Sequence, residues 1–420
     1  MTGNINLTLS QQGAYDSIMA GHNVFLSGCA GTGKSFLIGQ IIKELEAAGK
    51  SVVVAAPTGI AAINVGGTTL HRLLGLAPDI YVDIPPKIPS VLYKTDTLIV
   101  DEISMCRLDL FDYLGRVLAK VSRPIQVIVV GDFCQLPPVM PNGKANSDKE
   151  ILDRWYGRDV GHGYAFLSPQ WSRLKLETTV LKEPMRQKDL SVVSALDRAR
   201  LGDTTVLPYF SMHANPDPIP NGIYIAGRNS EVDALNAERL SDIEAKSYVY
   251  TAECVGEVKT DDKKVAPERL ELKVGARIMT TVNDPDGNYC NGSLGNVTWL
   301  DNNEIWIKPD DGEECEIRQH EWDIVRYQVI GDPKADSGEI ARNIVGSYIQ
   351  YPLKLAWAVT IHKSQGQTYD KVNLNPQCWD PGQLYVALSR VTDIHNLHLT
   401  RPLYSKYLII DPMVKDFYRL

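Results

Sequence analysis

The stretch Gly28 to Ser35 reads GCAGTGKS and fits the phosphate-loop pattern G-x-x-x-x-G-K-[ST] at every fixed position. It follows the short apolar run Asn23 to Leu26 and precedes Phe36 to Glu46, where apolar residues recur at helical spacing. A strand before the loop and a helix after it are the context in which this motif binds phosphate. The sequence therefore predicts a nucleoside triphosphate site between a strand and a helix.

The residue types of this loop suit phosphate and magnesium. Gly28, Gly31 and Gly33 allow the backbone to turn its N–H groups inward, and the helix N-terminus adds partial positive charge. We expect Lys34 to reach the β and γ phosphates and the Ser35 hydroxyl to be a ligand of Mg²⁺.

Two further apolar segments end in residues that suit ATP hydrolysis. Thr97 to Glu102 reads TLIVDE, a Walker B arrangement beside a phosphate loop. Asp101 is expected to hold Mg²⁺, and Glu102 is expected to orient and deprotonate the attacking water. The segment Ile125 to Val130 leads into GDFCQLPPV, where the Gln135 amide is placed to sense the γ-phosphate.

Length and composition indicate a soluble globular protein. The chain has 420 residues, of which 44% are hydrophobic and 22% charged, and this length suits roughly three domains. No apolar run is long enough to span a bilayer and the first residues resemble no targeting peptide, so we expect a cytoplasmic protein with no membrane partner. The seven cysteines are scattered and never form C-x-x-C, which argues against a disulfide scaffold or a zinc site.

The net charge of −8 argues weakly against nucleic acid as a partner. Acidic residues are crowded between Asp301 and Asp323, however, outside the phosphate-loop region. A basic groove elsewhere is compatible with this balance, and we give the motifs more weight than the net charge.

The order of patterns along the chain predicts two α/β cores. Strands alternate with helical segments up to about residue 175, which predicts one doubly wound parallel sheet. A second core is expected from an amphipathic helix over Glu183 to Gly202 and a strand over Gly222 to Ala226. Short β segments and turn signals between about Tyr250 and Tyr348 predict a small β-barrel inserted into that second core.

Several of these motifs together resemble superfamily 1 helicases, and within them the PIF family, near relatives of the RecD and phage Dda enzymes that move 5′ to 3′ on DNA. The resemblance covers nearly the whole chain and rests on GCAGTGKS, APTGIAA, TLHRLL, IVDEISM, GDFCQLPPV, MRQ, VGARIM, NGSLGNV, TIHKSQGQT and YVALSR.

The resemblance implies an α/β fold of two RecA-like parallel-sheet domains, with ATP in the cleft between them and single-stranded DNA across their tops. A short pin is implied in the first domain and an SH3-like β-barrel in the second. On this basis residues 1–180 form the first domain with the pin at 76–95, residues 181–249 and 350–420 form the second domain, and residues 250–349 form the barrel.

The resemblance also implies roles for individual residues in ATP hydrolysis. Gln135 matches the γ-phosphate sensor, and Arg186 and Arg390 match two arginines delivered from the second domain to stabilise the transferring phosphoryl group. The nucleotide contacts implied are Gln12, Gly28, Cys29, Ala30, Gly31, Thr32, Gly33, Lys34, Ser35, Phe36, Gln365 and Gly366. The adenine-reading glutamine matches Gln12 with Gln11 as a competitor, and from the residues alone these amides fit helix capping as well.

DNA contacts are implied on both domains. They are Pro57, Thr58, Asn64, Thr68 and His71 on the first, and Asn229, Thr360, His362, Lys363 and Ser364 on the second. Such contacts are chiefly to phosphates and nearly blind to base sequence. Before the resemblance is considered, His71 and His362 fit packing or capping equally well.

Other aromatic and histidine residues have a structural interpretation. His395 and His398 look like a metal pair but lack a third ligand, so we interpret them as structural. Trp299, Trp306 and Trp322 could stack on bases, but packing in the core of the small barrel is the favoured use.

The sequence thus predicts an ATP- and Mg²⁺-dependent helicase that is a monomer in solution and acts on single-stranded DNA and on 5′-tailed, forked or G-quadruplex DNA. One alternative is a translocase or remodeller that shares every motif but separates no strands. Another is a nucleic-acid binding module with an inactive motor, which the intact Lys34, Asp101, Glu102 and Arg390 argue against.

Overall fold

The computed structural model describes residues 7–76, 81–140, 148–185, 189–258, 266–310, 312–330 and 339–419. The chain divides into two compact units. The first unit comprises Met1–Val193, Val325–Asn343 and Ile410–Leu420, and the second comprises Ser194–Ile324 and Ile344–Ile409.

The first unit contains a six-stranded parallel sheet. Its strands are β1 Val24–Gly28, β2 Val52–Ala56, β3 Thr68–Thr69, β4 Thr97–Val100, β5 Gln126–Val130 and β6 Glu177–Leu181. Their spatial order is β3-β2-β4-β5-β1-β6. Because all the strands are parallel, the carboxyl ends of β1 and β4 lie at the same edge, which is where α/β sheets bind ligands.

Helices connect and flank the strands of both units. They are α1 Leu9–Met19, α2 Lys34–Ala47, α3 Gly59–Asn64, α4 Leu70–Leu74, α5 Leu108–Leu118, α6 Asp148–Tyr156, α7 Pro169–Arg173, α8 Leu190–Arg200, α9 Leu207–His213, α10 Asn229–Ser241, α11 Gln383–Leu388 and α12 Pro412–Tyr418. Single 3₁₀ turns lie at Ser90–Tyr93, Ile103–Met105, Ala165–Leu167, Thr204–Val206, Ile394–Asn396 and Ser405–Tyr407. No helix in the described ranges has both the length and the apolar character that a membrane span requires.

The four central strands β1, β2, β4 and β5 are buried on both faces, which explains their nearly continuous apolar sequences. Successive side chains of a strand point to opposite faces, so Val24 and Leu26 join a core with α1 and α2, whereas Phe25 joins a core with α4 and α5. The predicted doubly wound parallel sheet is confirmed.

Two elements differ from the sequence prediction at the end of the first unit. Strand β6 lies beyond residue 175, where no strand was predicted: its ETTVL sequence has β-branched residues but no apolar run, because most of this edge strand is exposed. The helix expected from Glu183 begins only at Leu190, after Asp189, whose carboxylate accepts the Ser191 N–H at 2.7 Å.

The C-terminal helix α12 packs into the first unit. Phe417 stacks on Phe166 with ring centroids 4.4 Å apart and meets the edge of Phe133 at 5.3 Å. Asp411 caps the helix by accepting the Met413 N–H at 2.8 Å. Residues 410–420 therefore belong to the first unit, although the sequence assigned the whole of 350–420 to the second domain.

The second unit contains a four-stranded parallel sheet with the order β18-β7-β19-β20. Between β7 and β18 lies a series of short antiparallel strands, as the turn-rich β pattern predicted. The strands of this unit are β7 Ile223–Ala226, β8 Tyr248–Thr251, β9 Glu253–Gly256, β10 Arg269–Leu272, β11 Arg277–Thr280, β12 Leu294–Leu300, β13 Ile305–Pro309, β14 Cys315–Ile317, β15 His320–Ile330, β16 Glu339–Gln350, β17 Leu353–Leu355, β18 Ala358–Thr360, β19 Val372–Leu374 and β20 Leu397–Leu399. Part of the hairpin formed by β15 and β16, Val325–Asn343, is grouped with the first unit.

The antiparallel region has its own core. A five-stranded sheet runs in the order β14-β13-β12-β11-β17, and β8 pairs with β10. Leu270, Ile278, Val297 and Ile305 are among the buried residues that fill it. Since β17 at Leu353–Leu355 pairs with β11, the barrel-like region extends a few residues past the predicted limit of 349.

Candidate active site

The phosphate loop connects β1 to α2, as the motif predicts. Gly31 and Gly33 have φ angles of 81° and 80°, in the left-handed region that favours glycine. A Cβ atom on Gly33 would lie 2.7 Å from Nε2 of Gln11, so a side chain at this position would displace the Gln11 amide. The Thr32 hydroxyl donates to the Cys29 carbonyl at 2.9 Å and closes the loop.

The Lys34 ammonium lies over this loop. Its Nζ donates to the carbonyl oxygens of Gly28 at 2.7 Å and Cys29 at 3.0 Å. Lys34 is the first residue of α2, whose N-terminus has a partial positive charge that attracts phosphate. The same ammonium can donate to phosphate oxygens that approach the loop.

The acidic pair stands at the end of β4. Asp101 is almost fully buried, its N–H donates to the Ala55 carbonyl, and its Oδ1 accepts the Glu102 N–H at 2.8 Å. Burial, and after it the charge of Glu102, raises the pKa of Asp101 to about 7, while the Glu102 N–H and the charge of Lys34 act in the opposite direction. Glu102 has a φ of 51°, a strained angle for a residue other than glycine and one typical of functional sites.

These residues fit a magnesium ion. The desolvated Asp101 carboxylate is an oxygen ligand whose negative charge a cation would neutralise, and the exposed Ser35 hydroxyl on α2 is a second. Among the described residues no group of three or more His, Cys, Asp or Glu could hold a metal ion. A site with few protein ligands suits Mg²⁺, which usually completes its coordination with phosphate and water.

Gln135 lies in a compact buried turn after β5. Its N–H donates to the Asp132 carbonyl at 2.9 Å, and Oδ1 of Asp132 accepts the Cys134 N–H at 3.1 Å. A Cβ atom on Gly131, the first residue after β5, would lie 2.9 Å from Cγ2 of Ile103 in the turn that follows Glu102. The Gln135 loop and the Walker B turn are therefore packed directly together.

The two N-terminal glutamines have different environments. Gln11 is buried; its Oε1 accepts the Thr8 N–H at 3.1 Å and its Nε2 approaches the Thr32 carbonyl at 3.3 Å. The Gln12 side chain is exposed and donates to Asp16 at 2.8 Å. Gln11, not Gln12, therefore lies against the phosphate loop, and it also forms the capping box of α1.

Sequence reasoning missed a polar cluster that joins α1 to the segment after β6. The Thr8 hydroxyl donates to Glu183 at 3.0 Å, and the Ser10 hydroxyl donates to the same carboxylate oxygen. The Met185 N–H donates to the Gly31 carbonyl at 2.8 Å, so this segment also touches the phosphate loop. Arg186, one of the two arginines implied by the resemblance, lies outside the described residues. The sequence carries no local signal for these contacts, because Glu183 lies 175 positions from Thr8 along the chain.

Arg390 in the second unit is buried and bonded. Its Nε donates to the Val386 carbonyl at 2.8 Å, and its Nη1 donates to the carbonyls of Ser364 and Gln367, each at 3.0 Å. These two carbonyls flank the Gln365–Gly366 pair that the resemblance placed near the nucleotide. In this conformation the guanidinium supports that turn, and Gly366 has a φ of 80° within it.

The DNA candidates of the first unit cluster after β2 and at β3. Pro57 and Thr58 follow β2, and the Thr58 hydroxyl accepts the Ala61 N–H at 3.3 Å. Thr68 is buried in β3, and the His71 ring on α4 meets Tyr81 at 5.9 Å. Asn64 is the last residue of α3, and its side chain lies outside the described part.

The candidates of the second unit gather at the carboxyl ends of β7 and β18. Asn229, exposed, begins α10, and the Thr360 hydroxyl accepts the Lys363 N–H at 3.3 Å. The Ser364 hydroxyl is buried and donates to the Ile361 carbonyl.

Burial lowers the pKa of two groups near this edge of the second unit, His362 and Lys354. Burial lowers the pKa of His362, and the Asp380 carboxylate opposes that shift, so the imidazole is mainly neutral at pH 7. Burial, and secondarily the charge of Lys363, lowers the pKa of Lys354 to about 8. Lys354 was not singled out in the sequence, and its proximity to Lys363 adds a second cation to this edge.

The part of the predicted pin that the structure describes is packed on α5. Tyr81 is buried, its N–H donates to Asp109 at 3.0 Å, and its carbonyl accepts from Arg116 at 2.7 Å. The Lys87 N–H donates to the Tyr113 hydroxyl at 3.2 Å. Residues 77–80 lie outside the described part, so the prediction of a pin over 76–95 can be followed only from residue 81 onward.

The residues set aside as structural have local partners. His398 is buried, and its Nδ1 lies 3.0 Å from the Asn215 carbonyl. Trp322 is buried in the β region, whereas Trp299 is 45% exposed and pairs across strands with Trp306.

Comparison with known proteins agrees with this geometry. The family model of PIF1-like helicases matches residues 6–194. The ATP-dependent DNA helicase Pif1 of Bdellovibrio bacteriovorus is 33% identical over 99% of this chain and 92% of its own length. The chain belongs to the PIF1-like helicase family.

Solved structures of PIF1-like helicases have the same fold. Bacteroides Pif1 in complex with ADP-AlF4 is 32% identical and superposes with a TM-score of 0.85 over 99% of this chain and 97% of that chain. Bacteroides Pif1 bound to single-stranded DNA is 33% identical with a TM-score of 0.69 over the same fractions. The predicted architecture of RecA-like domains is thereby confirmed. The two parallel sheets described above are the central sheets of those domains.

Proposed function

We propose that this protein is an ATP-dependent DNA helicase that moves 5′ to 3′ on single-stranded DNA and separates duplex strands. The observation that carries the proposal is the juxtaposition of a complete phosphate loop with the buried Asp101 and the half-buried Glu102 at one sheet edge, in a chain that matches PIF1-like helicases along its length. Bacteroides Pif1 has been solved with bound ADP-AlF4 and with bound single-stranded DNA, which supports a nucleotide and single-stranded DNA as the ligands of this protein.

The hydrolytic step uses residues of the first unit. Lys34 exchanges its bonds to the Gly28 and Cys29 carbonyls for bonds to phosphate oxygens. Glu102 accepts a proton from the water that attacks the γ-phosphorus, and the amide of Gln135 orients that water or the γ-phosphate. Mg²⁺, when bound by Ser35 and Asp101, supplies charge neutralisation of the phosphates.

Adenine recognition is assigned to Gln11 in place of Gln12. Its amide lies beside the phosphate loop and keeps one free N–H and one free lone pair beyond its bonds to Thr32 and Thr8, which suits an adenine edge. The exposed Gln12, bonded to Asp16, has no comparable position.

Single-stranded DNA lies along the candidate residues of each unit. Asn229, His362 and Lys363 are grouped at one edge of the second sheet, and Thr58 and His71 follow β2 and β3 in the first. Backbone N–H groups, hydroxyls and Lys363 suit phosphate, so binding should weaken as salt rises.

The insert from residue 76 to 95 is proposed to be the element that splits the duplex. The contacts of Tyr81 with Asp109 and Arg116 anchor the described part of the insert on α5, which suits a wedge against a junction. These contacts also limit how it can be tested, because replacing Ile80 to Lys87 would remove the buried Tyr81 and Val82. Replacing only the exposed Asp83, Pro85 and Lys87 by serine keeps the anchors and should reduce unwinding more than DNA-stimulated ATP hydrolysis.

The preferred DNA is proposed to be 5′-tailed duplex, forked or G-quadruplex DNA, and the protein is proposed to be a monomer in solution. The test of the proposed function is ATP hydrolysis with and without an oligonucleotide of deoxythymidines, in wild type and in Lys34→Ala. DNA-stimulated hydrolysis that Lys34→Ala abolishes supports the motor, and unstimulated hydrolysis refutes it. Strand separation on tailed duplexes then distinguishes a helicase from a translocase that separates no strands.

A further inference from the structure

An exposed tryptophan stands on the loop between β19 and α11 in the second unit. Trp379 is 46% exposed, although a large apolar ring is usually buried. Its backbone is fixed: Oε1 of the buried Gln383, the first residue of α11, accepts the N–H of Trp379 at 3.1 Å and that of Asp380 at 3.4 Å. The ring is therefore held on the surface by a defined loop.

The indole ring also packs against two residues that follow β7, Gly227 and Arg228. A Cβ atom on Gly227 would lie 2.5 Å from Cη2 of Trp379, so the indole rests directly on the backbone that follows β7. The guanidinium carbon of the exposed Arg228 lies 5.2 Å from the ring centroid, within cation–π distance. Because a side chain at position 227 would displace the indole, the glycine and the cation together fix its orientation.

Gly227 and Arg228 lie among the candidate DNA residues of the second unit. Arg228 directly precedes Asn229, and Ala226 at the end of β7 is the pairing partner of Thr360 in β18. Asp380, the neighbour of Trp379, is close enough to His362 to influence its pKa. The tryptophan thus occupies the same carboxyl edge as the residues assigned to DNA.

Charge indicates which part of DNA the ring would meet. The carboxylate of Asp380, the residue after Trp379, places a negative charge near His362 and so disfavours a phosphate there, whereas a base carries no charge. Indole rings stack on any base, at roughly 1–3 kcal/mol per base. Arg228 on the ring presents a cation to a phosphate beside the stacked base.

We propose that Trp379, packed against Gly227 and Arg228, stacks on a base of the single-stranded DNA bound by the second unit. The proposal rests on the proposed function and adds to it a contact with bases in a path otherwise made of phosphate contacts. Loss of the ring should weaken binding to DNA that has bases and leave binding to an abasic backbone nearly unchanged.

The test compares two fluorescein-labelled oligonucleotides of equal length, one of deoxythymidines and one of abasic tetrahydrofuran spacers, by fluorescence anisotropy. Trp379→Ala should weaken the Kd for the deoxythymidine strand by about 5- to 100-fold and that for the abasic strand by less than about twofold. Trp379→Phe, which keeps an aromatic face, should recover most of the affinity. Trp155→Ala removes an indole of similar exposure from α6 and should leave both Kd values unchanged.

The salt dependence provides a second readout. The slope of log Kd against log salt should be the same in Trp379→Ala as in wild type, because stacking releases no counterions. Arg228→Gln should lower that slope by about 0.7, the value for one phosphate on a single strand. The thermal unfolding midpoint of each variant checks that it is folded. If Trp379→Ala does not fold, Trp379→Phe and Arg228→Gln still test the proposal.

Several outcomes would overturn the stacking role. Equal losses on both oligonucleotides would show that Trp379 supports the backbone path or the fold, and unchanged binding of Trp379→Ala would show that the ring makes no contact. A wild-type protein that bound neither oligonucleotide would refute the proposed function together with this contact. Wild-type binding with an unaffected Trp379→Ala would refute the contact alone.

Discussion

The hydroxyl of Tyr418 on α12 lies 3.1 Å from the hydroxyl of Ser27, the residue that precedes the phosphate loop. The same Tyr418 hydroxyl accepts the N–H of Phe133, two residues before Gln135, at 3.3 Å. One phenol near the C-terminal end of α12 thus connects the strand that carries the phosphate loop to the turn that carries the proposed γ-phosphate sensor.

Tyr418→Phe should lower both stability and turnover. It removes only the hydroxyl and leaves the buried Phe133 N–H without this acceptor, at a cost of about 1–3 kcal/mol. The thermal midpoint should fall by a few degrees, and kcat for ATP should fall severalfold with KM little changed. A variant with wild-type midpoint and kcat would show that the hydroxyl does not position either segment.

Lys34→Ala and Glu102→Gln should separate binding from chemistry. Lys34→Ala should abolish ATP hydrolysis, because the loop then lacks the ammonium that lies over it and that we propose to contact the phosphates. Glu102→Gln should still bind ATP and magnesium but lower DNA-stimulated turnover by about 100-fold or more, since an amide cannot accept the proton from water. Binding is measured with a fluorescent ATP analogue and turnover by phosphate release. Near wild-type turnover of Glu102→Gln would move the base to another residue.

Asp101→Asn should change how stability depends on pH. The folded pKa of Asp101 is about 7, above its ordinary value of 3.8, so the folded state holds a proton that the unfolded state releases between these values. The stabilising contribution is complete below about pH 4 and is lost as pH rises through 7. In EDTA and without nucleotide, Asp101→Asn should therefore raise the unfolding midpoint at pH 8 more than at pH 5.5. Equal effects at both pH values would show that Asp101 ionises near its ordinary pKa.

The sequence could predict where residues lie within one segment, but not which residues meet across the fold. The positions of Lys34, Asp101 and Glu102 were predictable because each lies at a fixed offset from a strand end. The choice between Gln11 and Gln12 was not, because it depends on which face of α1 packs against the phosphate loop. The contacts of Glu183 with Thr8 and of Tyr418 with Ser27 join residues 175 and 391 positions apart and have no local signal.

Arg390→Ala should distinguish an arginine finger from an anchor. A finger stabilises the transferring phosphoryl group, so its loss should lower kcat by roughly a thousandfold and leave ATP affinity within severalfold of wild type. The bonds of Arg390 to the carbonyls that flank Gln365 and Gly366 predict, in addition, a lower unfolding midpoint. Lost ATP affinity with normal turnover at saturating ATP would assign Arg390 to support of that turn alone.

We propose that ATP hydrolysis at Lys34, Asp101 and Glu102 drives strand separation in the 5′ to 3′ direction. Single-turnover unwinding of one duplex carrying either a 5′ or a 3′ single-stranded tail tests this, with ATP, magnesium and a trap strand, and with Glu102→Gln as the inactive control. Wild type alone should release the strand rapidly from the 5′-tailed duplex, and little strand should be released from the 3′-tailed duplex. Preferential unwinding of the 3′-tailed duplex, or DNA-stimulated ATP hydrolysis with no strand release from either substrate, would show that the protein is not a 5′-to-3′ helicase.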